Sequence, residues 1–325
     1  MTGIGNDYMI EDNLENYIDV CFSKDDGTTK RCEAIITGNN EPSAGKSYCV
    51  YQYVVEEDDY FDGSAYLTTN IIIPEGIVFD IVGNSNSSQV VHLPRNGDIW
   101  SDNNCDENNN RIYIDSVRPK IDRAWIDMEN EYGYKQADGN FYLKEGSRIR
   151  VGIVFNEDVY DETGNDYMST GNTQNYINIL FGSKNGGVKS CHAVIEGNHN
   201  PEMGKNYCVY QYVVKKDDYF DGNAYIDKGI SIPANTVYDK VGNSNVMDIH
   251  KLDRGGLLWN DNYDVNNNKI YIDTVKPNAS DAWIDIDSNY GYKKINDNFY
   301  LKKDNRIRIG VTFTEDVYEQ GKGRK

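Results

Sequence analysis

Short runs of alternating apolar and polar residues, broken by clusters of Gly, Asn and Asp, dominate this chain and predict β-strands joined by tight turns. The middle of the sequence gives the clearest series. "KIDRAWID" (Lys120–Asp127) and "SRIRVGIVF" (Ser147–Phe155) come first. "NYINILF" (Asn175–Phe181), "GVKSCHAVIEG" (Gly187–Gly197) and "NYCVYQYVV" (Asn206–Val214) follow. "NAYIDKGISI" (Asn223–Ile232), a segment over Val246–Leu252 and "NKIYID" (Asn268–Asp273) complete the set. The intervening "SKNGG", "EGNHNPEMGK" and "YFDGN" are rich in the residues that turns require. No long run carries a helical period. Short strands at roughly ten-residue spacing predict an all-β sandwich.

The pattern occurs more than once. "KSYCVYQYVVEEDDYFDGSAYL" from Lys46 matches "KNYCVYQYVVKKDDYFDGNAYI" from Lys205, a lag of 159 residues. After a one-residue slip near Cys105 the lag becomes 158, and "RIYIDSVRP" matches "KIYIDTVKP". At the same lag "RIRVGIVFNEDVY" (Arg148–Tyr160) matches "RIRIGVTFTEDVY" (Arg306–Tyr318). A repeat of this length is a domain, not a solenoid unit of about 20–50 residues. The seam falls at "YIDSVRP" and "YIDTVKP", where an apolar strand ends and a Pro opens a new extended segment. On that frame residues 116–273 are one complete domain. Residues 1–115 lack its first strands, and residues 274–325 supply the first strands of a further one.

Along the repeat an opening such as "IDTVKP", a strand such as "VTFTEDVY", a hairpin ending in "YQYVV", an acidic turn and a segment such as "ISIPANTVYDKVGNSN" follow in order. This succession resembles the bacterial Ig-like repeat domains of large cell-surface and adhesin proteins. The resemblance implies tandem Ig-like β-sandwiches, one complete and two partial, in an extracellular structural role. The repeats are about half again as long as an ordinary Ig-like domain. The excess lies in "MENEYGYKQADGN" and "RGGLLWNDNYDVNNN".

Composition narrows the partners. The chain is 38% hydrophobic and 12% aromatic, enough to build cores despite its polar average. The net charge of −19 disfavours nucleic acid and anionic membrane, and suits hard cations such as Ca²⁺. No apolar run approaches the roughly 18 residues of a membrane-spanning helix, so no membrane insertion is expected. The opening "MTGIGNDYMIEDN" has neither a basic nor an apolar region of a signal peptide. It reads as the start of an intracellular protein or of a fragment cut from a secreted one.

Cys32 with Cys49, and Cys191 with Cys208, occupy equivalent places in the two copies. In an antiparallel hairpin facing residues share one sum of sequence numbers. Pairing Cys191 with Cys208 centres that hairpin near Asn198–Pro201, and pairing Cys32 with Cys49 centres the other near Asn39–Ser43. Both centres carry turn residues, so two cross-strand disulfides are expected, as in an oxidising compartment. Cys21 aligns with Leu180 and reads as a buried free thiol, while Cys105 falls in a polar loop.

Catalytic signatures are lacking: the four His show no metal-ligating spacing with Cys, and neither a phosphate loop nor a nucleophile elbow is present. The chain is not expected to be an enzyme. The candidate sites are acidic turns. "DDYFDG" places Asp58, Asp59 and Asp62 in one copy and Asp217, Asp218 and Asp221 in the other, a carboxylate density suited to Ca²⁺. Asp102 and Asp106, with Asp261 and Asp264, form a second set beside the seam. Glu157/Asp158 and Glu315/Asp316 end a strand, as ligands or as exposed charge. Plain turn chemistry and solubility are the alternative for all of them. Asp80 and Asp239, in "DIVGN" and "DKVGN", read as caps for backbone N–H groups. Trp100, Trp125, Trp259 and Trp283 recur with the repeat as core or junction anchors. A glycan platform on Trp100 or Trp259 would instead make the chain a carbohydrate-binding module.

The phase of the repeat has one more consequence. Ile307, Ile309, Val311 and Phe313 form a strand that a partial domain needs and cannot use alone. Donated to a neighbouring copy, or to a flanking Ig-like domain, such a strand would build a head-to-tail fibre or an adhesin stalk.

Overall fold

A computed structural model describes residues 14–38, 47–93, 111–165, 175–183, 187–197, 204–255 and 269–318. The chain divides into two compact units, one of residues 1–119 with 238–243, the other of residues 120–237 with 244–325. The described residues are nearly all strand and turn, as the alternating pattern requires.

The first unit contains β1 (Tyr17–Ser23), β2 (Thr29–Gly38), β3 (Val50–Gln52), β4 (Asp62–Ile73), β5 (Gln89–His92) and β6 (Tyr113–Asp115). They form an antiparallel sheet in the order β3-β2-β1-β4-β5, with β6 also on β4. Alternation sets the buried face. On β2, Cys32, Ala34 and Ile36 turn inward while Arg31 and Glu33 face water. Two small clusters result, Phe22 with Cys32, Phe61 and Ala65, and Ile18 with Ala34 and Ile71.

The second unit begins with β7 (Ile121–Asp127), β8 (Lys135–Ala137), β9 (Asn140–Leu143), β10 (Arg148–Phe155) and β11 (Tyr176–Ser183). It continues with β12 (Val188–Gly197), β13 (Tyr207–Val213), β14 (Asp221–Ile232), β15 (Asp248–His250), β16 (Asp253–Gly255) and β17 (Ile270–Asp273). The sheet runs β16-β7-β10-β13-β12-β11-β14-β17-β9-β8, with β15 also on β14. Its strands surround one core, in which Ile149, Val151, Ile153 and Phe155 of β10 meet Ile177, Ile179 and Phe181 of β11.

The segment "MENEYGYKQADGN", unexplained by the family resemblance, has a clear role. It folds as the β8–β9 hairpin, with Asp138 and Gly139 both at positive φ, 50° and 79°. That backbone suits the mirror-image turn whose twist matches paired strands. β9 then pairs in parallel with β17, Phe141 beside Ile270 and Leu143 beside Ile272, and buries both side chains.

Residues beyond β17 form β18 (Ala279–Asp285), β19 (Lys293–Ile295), β20 (Asn298–Tyr300) and β21 (Arg308–Phe313). They make two small sheets, β18 with β21 and β19 with β20. By the repeat they are the counterparts of β7 to β10.

The expected disulfides are not formed: Cys32, Cys49, Cys191 and Cys208 are free thiols, as is Cys21. Register explains it. Val194 faces Gln211, Ile195 faces Tyr210 and, past a bulge, Gly197 faces Val209. The hairpin therefore centres about three residues later than equal-sum pairing of the cysteines requires. Cys208 sits beside Val209 at the turn end, while Cys191 lies six residues before Gly197, about 20 Å along the strand. The first unit repeats this, with Ile36 facing Tyr51 and Gly38 facing Val50. Inward packing of Ile195, Tyr210 and Tyr212 sets the register, and the thiols follow. Cys21 is half-buried rather than buried, beside the bulge at Val20 and Phe22.

Candidate functional site

Two edges distinguish the units. In the second, β10 covers the outer edge of β13, with Ile149 opposite Tyr212, Val151 opposite Tyr210 and Ile153 opposite Cys208. β9 likewise covers the outer edge of β17. In the first unit, β3 and β6 are the counterparts of β13 and β17. Among the described residues β3 pairs only with β2, and β6 only with β4. Side chains respond accordingly. Val55 is 40% exposed, whereas its counterpart Val214 is 1%. Ile112 and Tyr113 are exposed, and their counterparts Ile270 and Tyr271 are buried.

The segment after β17 shows the converse. Ile307 and Ile309 are each 65% exposed, while their counterparts Ile149 and Val151 are 0%. Val311 and Phe313 are exposed where Ile153 and Phe155 are core, and Phe299 and Leu301 where Phe141 and Leu143 are core. Each such side chain forgoes up to about 1.5–3 kcal/mol of burial. A strand with an open edge and an apolar face is a template for pairing with another chain.

The "DDYFDG" turns use their acids locally. Residues Glu57–Asp59 and Lys216–Asp218 each form one 3₁₀ turn. Asp218 accepts the Tyr212 hydroxyl at 2.6 and 2.7 Å and the Lys215 N–H at 2.7 Å. Asp59 likewise accepts from the Tyr53 hydroxyl, the Glu56 N–H and Lys30 Nζ. Burial alone would lift the Asp59 carboxyl, but these donors outweigh it and hold it below the usual range. Asp62 pairs with Lys24 at 2.8 Å and is lowered to about 2, chiefly by that lysine and then by Ser64. Asp221 accepts the Asn223 N–H, and Asp58 and Asp217 are exposed. The second expected acidic set, Asp102, Asp106, Asp261 and Asp264, lies outside the described residues, as do Cys105, Trp100 and Trp259.

A carboxylate pair not singled out from the sequence stands in the first unit. Asp115, at the end of β6, and Asp239 bring carboxylate oxygens within 4.8 Å of one another. Asp115 lies over Gly63, where a Cβ would stand 2.6 Å from Oδ2, so only glycine admits it. Burial, then the charge of Asp239, raises the Asp115 carboxyl. In the second unit Asp273 stands over Gly222 and is raised by burial and by Asp221. Glu315 is raised by burial and by Asp273, and its Oε1 lacks a hydrogen-bond partner among the described residues. Carboxylates crowded in this way favour a cation or a shared proton.

Asp80 and Asp239 cap their turns as expected, Asp80 accepting from the Val82 and Asn84 N–H groups and Asp239 from those of Val241, Gly242 and Asn243. A third turn of this kind, "DETGN", has Asp161 accepting from Thr163 and Asn165. Trp125 lies flat over Gly152 and stacks on Tyr207 at 5.7 Å, a structural anchor on the sheet surface.

No family model matches this chain, and no curated protein does. Among solved structures, one similar chain is described as the crystal structure of a tetra-tandem repeat in the extending region of a large adhesion protein. It is 9% identical, with a TM-score of 0.24 over 96% of this chain. The match spans 61% of that crystallised chain.

Proposed function

We propose that this chain is a non-enzymatic, extracellular structural protein, a fibre subunit or adhesin stalk segment whose tandem Ig-like sandwiches join head to tail by strand donation. The match between open edges and unburied strands carries this reading. Among the described residues, β3 and β6 leave open the edges that β10 and β9 fill in the second unit. β21 and β20, the repeat counterparts of β10 and β9, carry exposed apolar residues at those same positions. The donor is a neighbouring copy of the chain or a flanking domain of the same type. Ca²⁺ held by the crowded carboxylates, Asp115 among them, would stiffen the assembly.

Light scattering and negative-stain imaging of the full chain test this, with Ile309→Lys for comparison. Concentration-dependent filaments or rings in the wild type, lost in Ile309→Lys, are expected. A wild-type chain that stays monomeric up to about millimolar concentration rules out donation between copies. Assembly restored by adding a flanking domain would then assign the donor to that domain.

A further inference from the structure

Tyr60 and Tyr219 occupy equivalent places at the ends of the two acidic turns. Both lie in the left-handed region, at φ 55° and 53°, where a tyrosine is disfavoured and glycine or asparagine is the ordinary choice. Both are 78% exposed, so neither ring is held there by packing. Strain kept at one place in two copies without a packing return is a mark of function.

The surroundings say which function. In the second unit a shallow cavity of about 320 Å³ opens beside Tyr219, lined also by Phe181, Gly187, Lys189, Phe220, Asp221 and Ala224. Lys189 Nζ lies 4.1 Å from the Phe220 ring centre, which holds its ammonium at the rim. Asp221 is held by the Asn223 N–H at 3.1 Å. All but Gly187, whose counterpart is Thr28, recur by type in the first unit, as Phe22, Lys30, Tyr60, Phe61, Asp62 and Ala65. There Lys30 Nζ lies 4.5 Å from the Phe61 ring centre, but it donates to Asp59, and Asp62 is paired with Lys24. An exposed aromatic ring, a carboxylate acceptor and an ammonium donor around a shallow cavity match a pyranose. Its C–H face stacks on an aromatic ring, and its hydroxyls both donate and accept. The net charge of −19 disfavours acidic sugars.

We propose that Tyr60 and Tyr219 each present a stacking face for a neutral sugar ring, with Asp221 and Lys189 bonding its hydroxyls in the second unit. This goes beyond the structural role above and uses different residues.

Saturation-transfer difference NMR on the full chain tests it, with glucose, galactose, mannose and N-acetylglucosamine as probes. Transfer to at least one sugar at millimolar concentration is expected. It should fall several-fold in Tyr60→Ala/Tyr219→Ala and persist in Tyr60→Phe/Tyr219→Phe, which keeps the rings. Tyr60→Gly/Tyr219→Gly should lose transfer yet melt higher than the wild type, because glycine relieves the backbone. No transfer to any of the four sugars overturns the proposal, as does transfer that survives in the alanine variant. A glycine variant that melts lower also overturns it, because the rings would then be structural.

Discussion

The Tyr212 hydroxyl donates to the Asp218 carboxylate, with both oxygens within 2.7 Å. This bond ties β13 to the 3₁₀ turn that follows, and Tyr53 and Asp59 repeat it in the first unit. Tyr212 lies on the inner face of β13 and Tyr53 packs on the core just past β3, so the bond fixes where the chain leaves the sheet. Tyr212→Phe should cost about 1.5–3 kcal/mol, the range for a hydrogen bond to a charged group. Urea denaturation checks this, since an unchanged midpoint would show that water replaces the hydroxyl.

Tyr53→Phe carries a pH signature as well. Asp59 is held below the usual carboxylate range in the folded chain. A lowered folded pKa contributes stability above about pH 4, the unfolded value, and loses it as pH falls through the folded value. Asp62, lowered to about 2, acts in the same direction over about pH 4 to 2. Stability of the first unit should therefore decline with acid across that window. In Tyr53→Phe the decline should be shallower, which thermal melts at stepped pH would read.

Gly152 should tolerate no side chain. A Cβ there would lie 2.4 Å from Cζ2 of Trp125, and the indole is confined by Tyr207 stacked at 5.7 Å and Arg123 at 4.6 Å. Gly152→Ala should cost about 1–3 kcal/mol through forced displacement of the ring. Near-UV circular dichroism should lose Trp125 intensity in step. Gly310 under Trp283 has the same geometry, with 2.4 Å to the indole.

How far the sequence reveals this molecule depends on the length of each element. β10 and β12 alternate over eight and ten residues, with one face buried, and are legible from period alone. β8 and β9 span three and four residues, too short to show a period, though Asp138-Gly139 is a hairpin signal. The cysteine pairing failed for a different reason. Facing positions depend on the turn centre and on the bulge at Ile195/Gly197, and neither is written in the strands. The Asp115–Asp239 pair was invisible because its members are far apart in sequence, while the Asp residues of "DDYFDG" looked site-like yet largely serve their own turns.

The raised Asp115 carboxyl makes a prediction of opposite sign to Asp59. Its charged form is disfavoured in the folded chain by burial and by Asp239. The cost is present at neutral pH and is relieved as pH falls through the raised folded value toward the unfolded one. Asp115→Asn should thus melt higher than wild type in a chelator at pH 7. With Ca²⁺ the order should reverse, since a cation that binds only the folded chain adds about 2.7 kcal/mol at a hundredfold excess over its Kd. A wild-type melting temperature indifferent to Ca²⁺ would remove the cation from the account.

Strand donation specifies a register, which a single cysteine can read. In the second unit Ile153 faces Cys208 across β10 and β13. The repeat makes Val311 the counterpart of Ile153 and Cys49 that of Cys208. A donated β21 that copies this register places Val311 of one copy opposite Cys49 of the next. Val311→Cys should then form an intermolecular disulfide on mild oxidation, giving a ladder of covalent multimers on a non-reducing gel. Val311→Cys/Cys49→Ser should give none. Cys208 is no competitor, because it is fully buried and its thiol is pushed up by burial, which leaves little thiolate to react. Filaments without the ladder would keep donation but reject this register. A ladder that persists without Cys49 would assign the contact to another thiol and remove β3 as the acceptor.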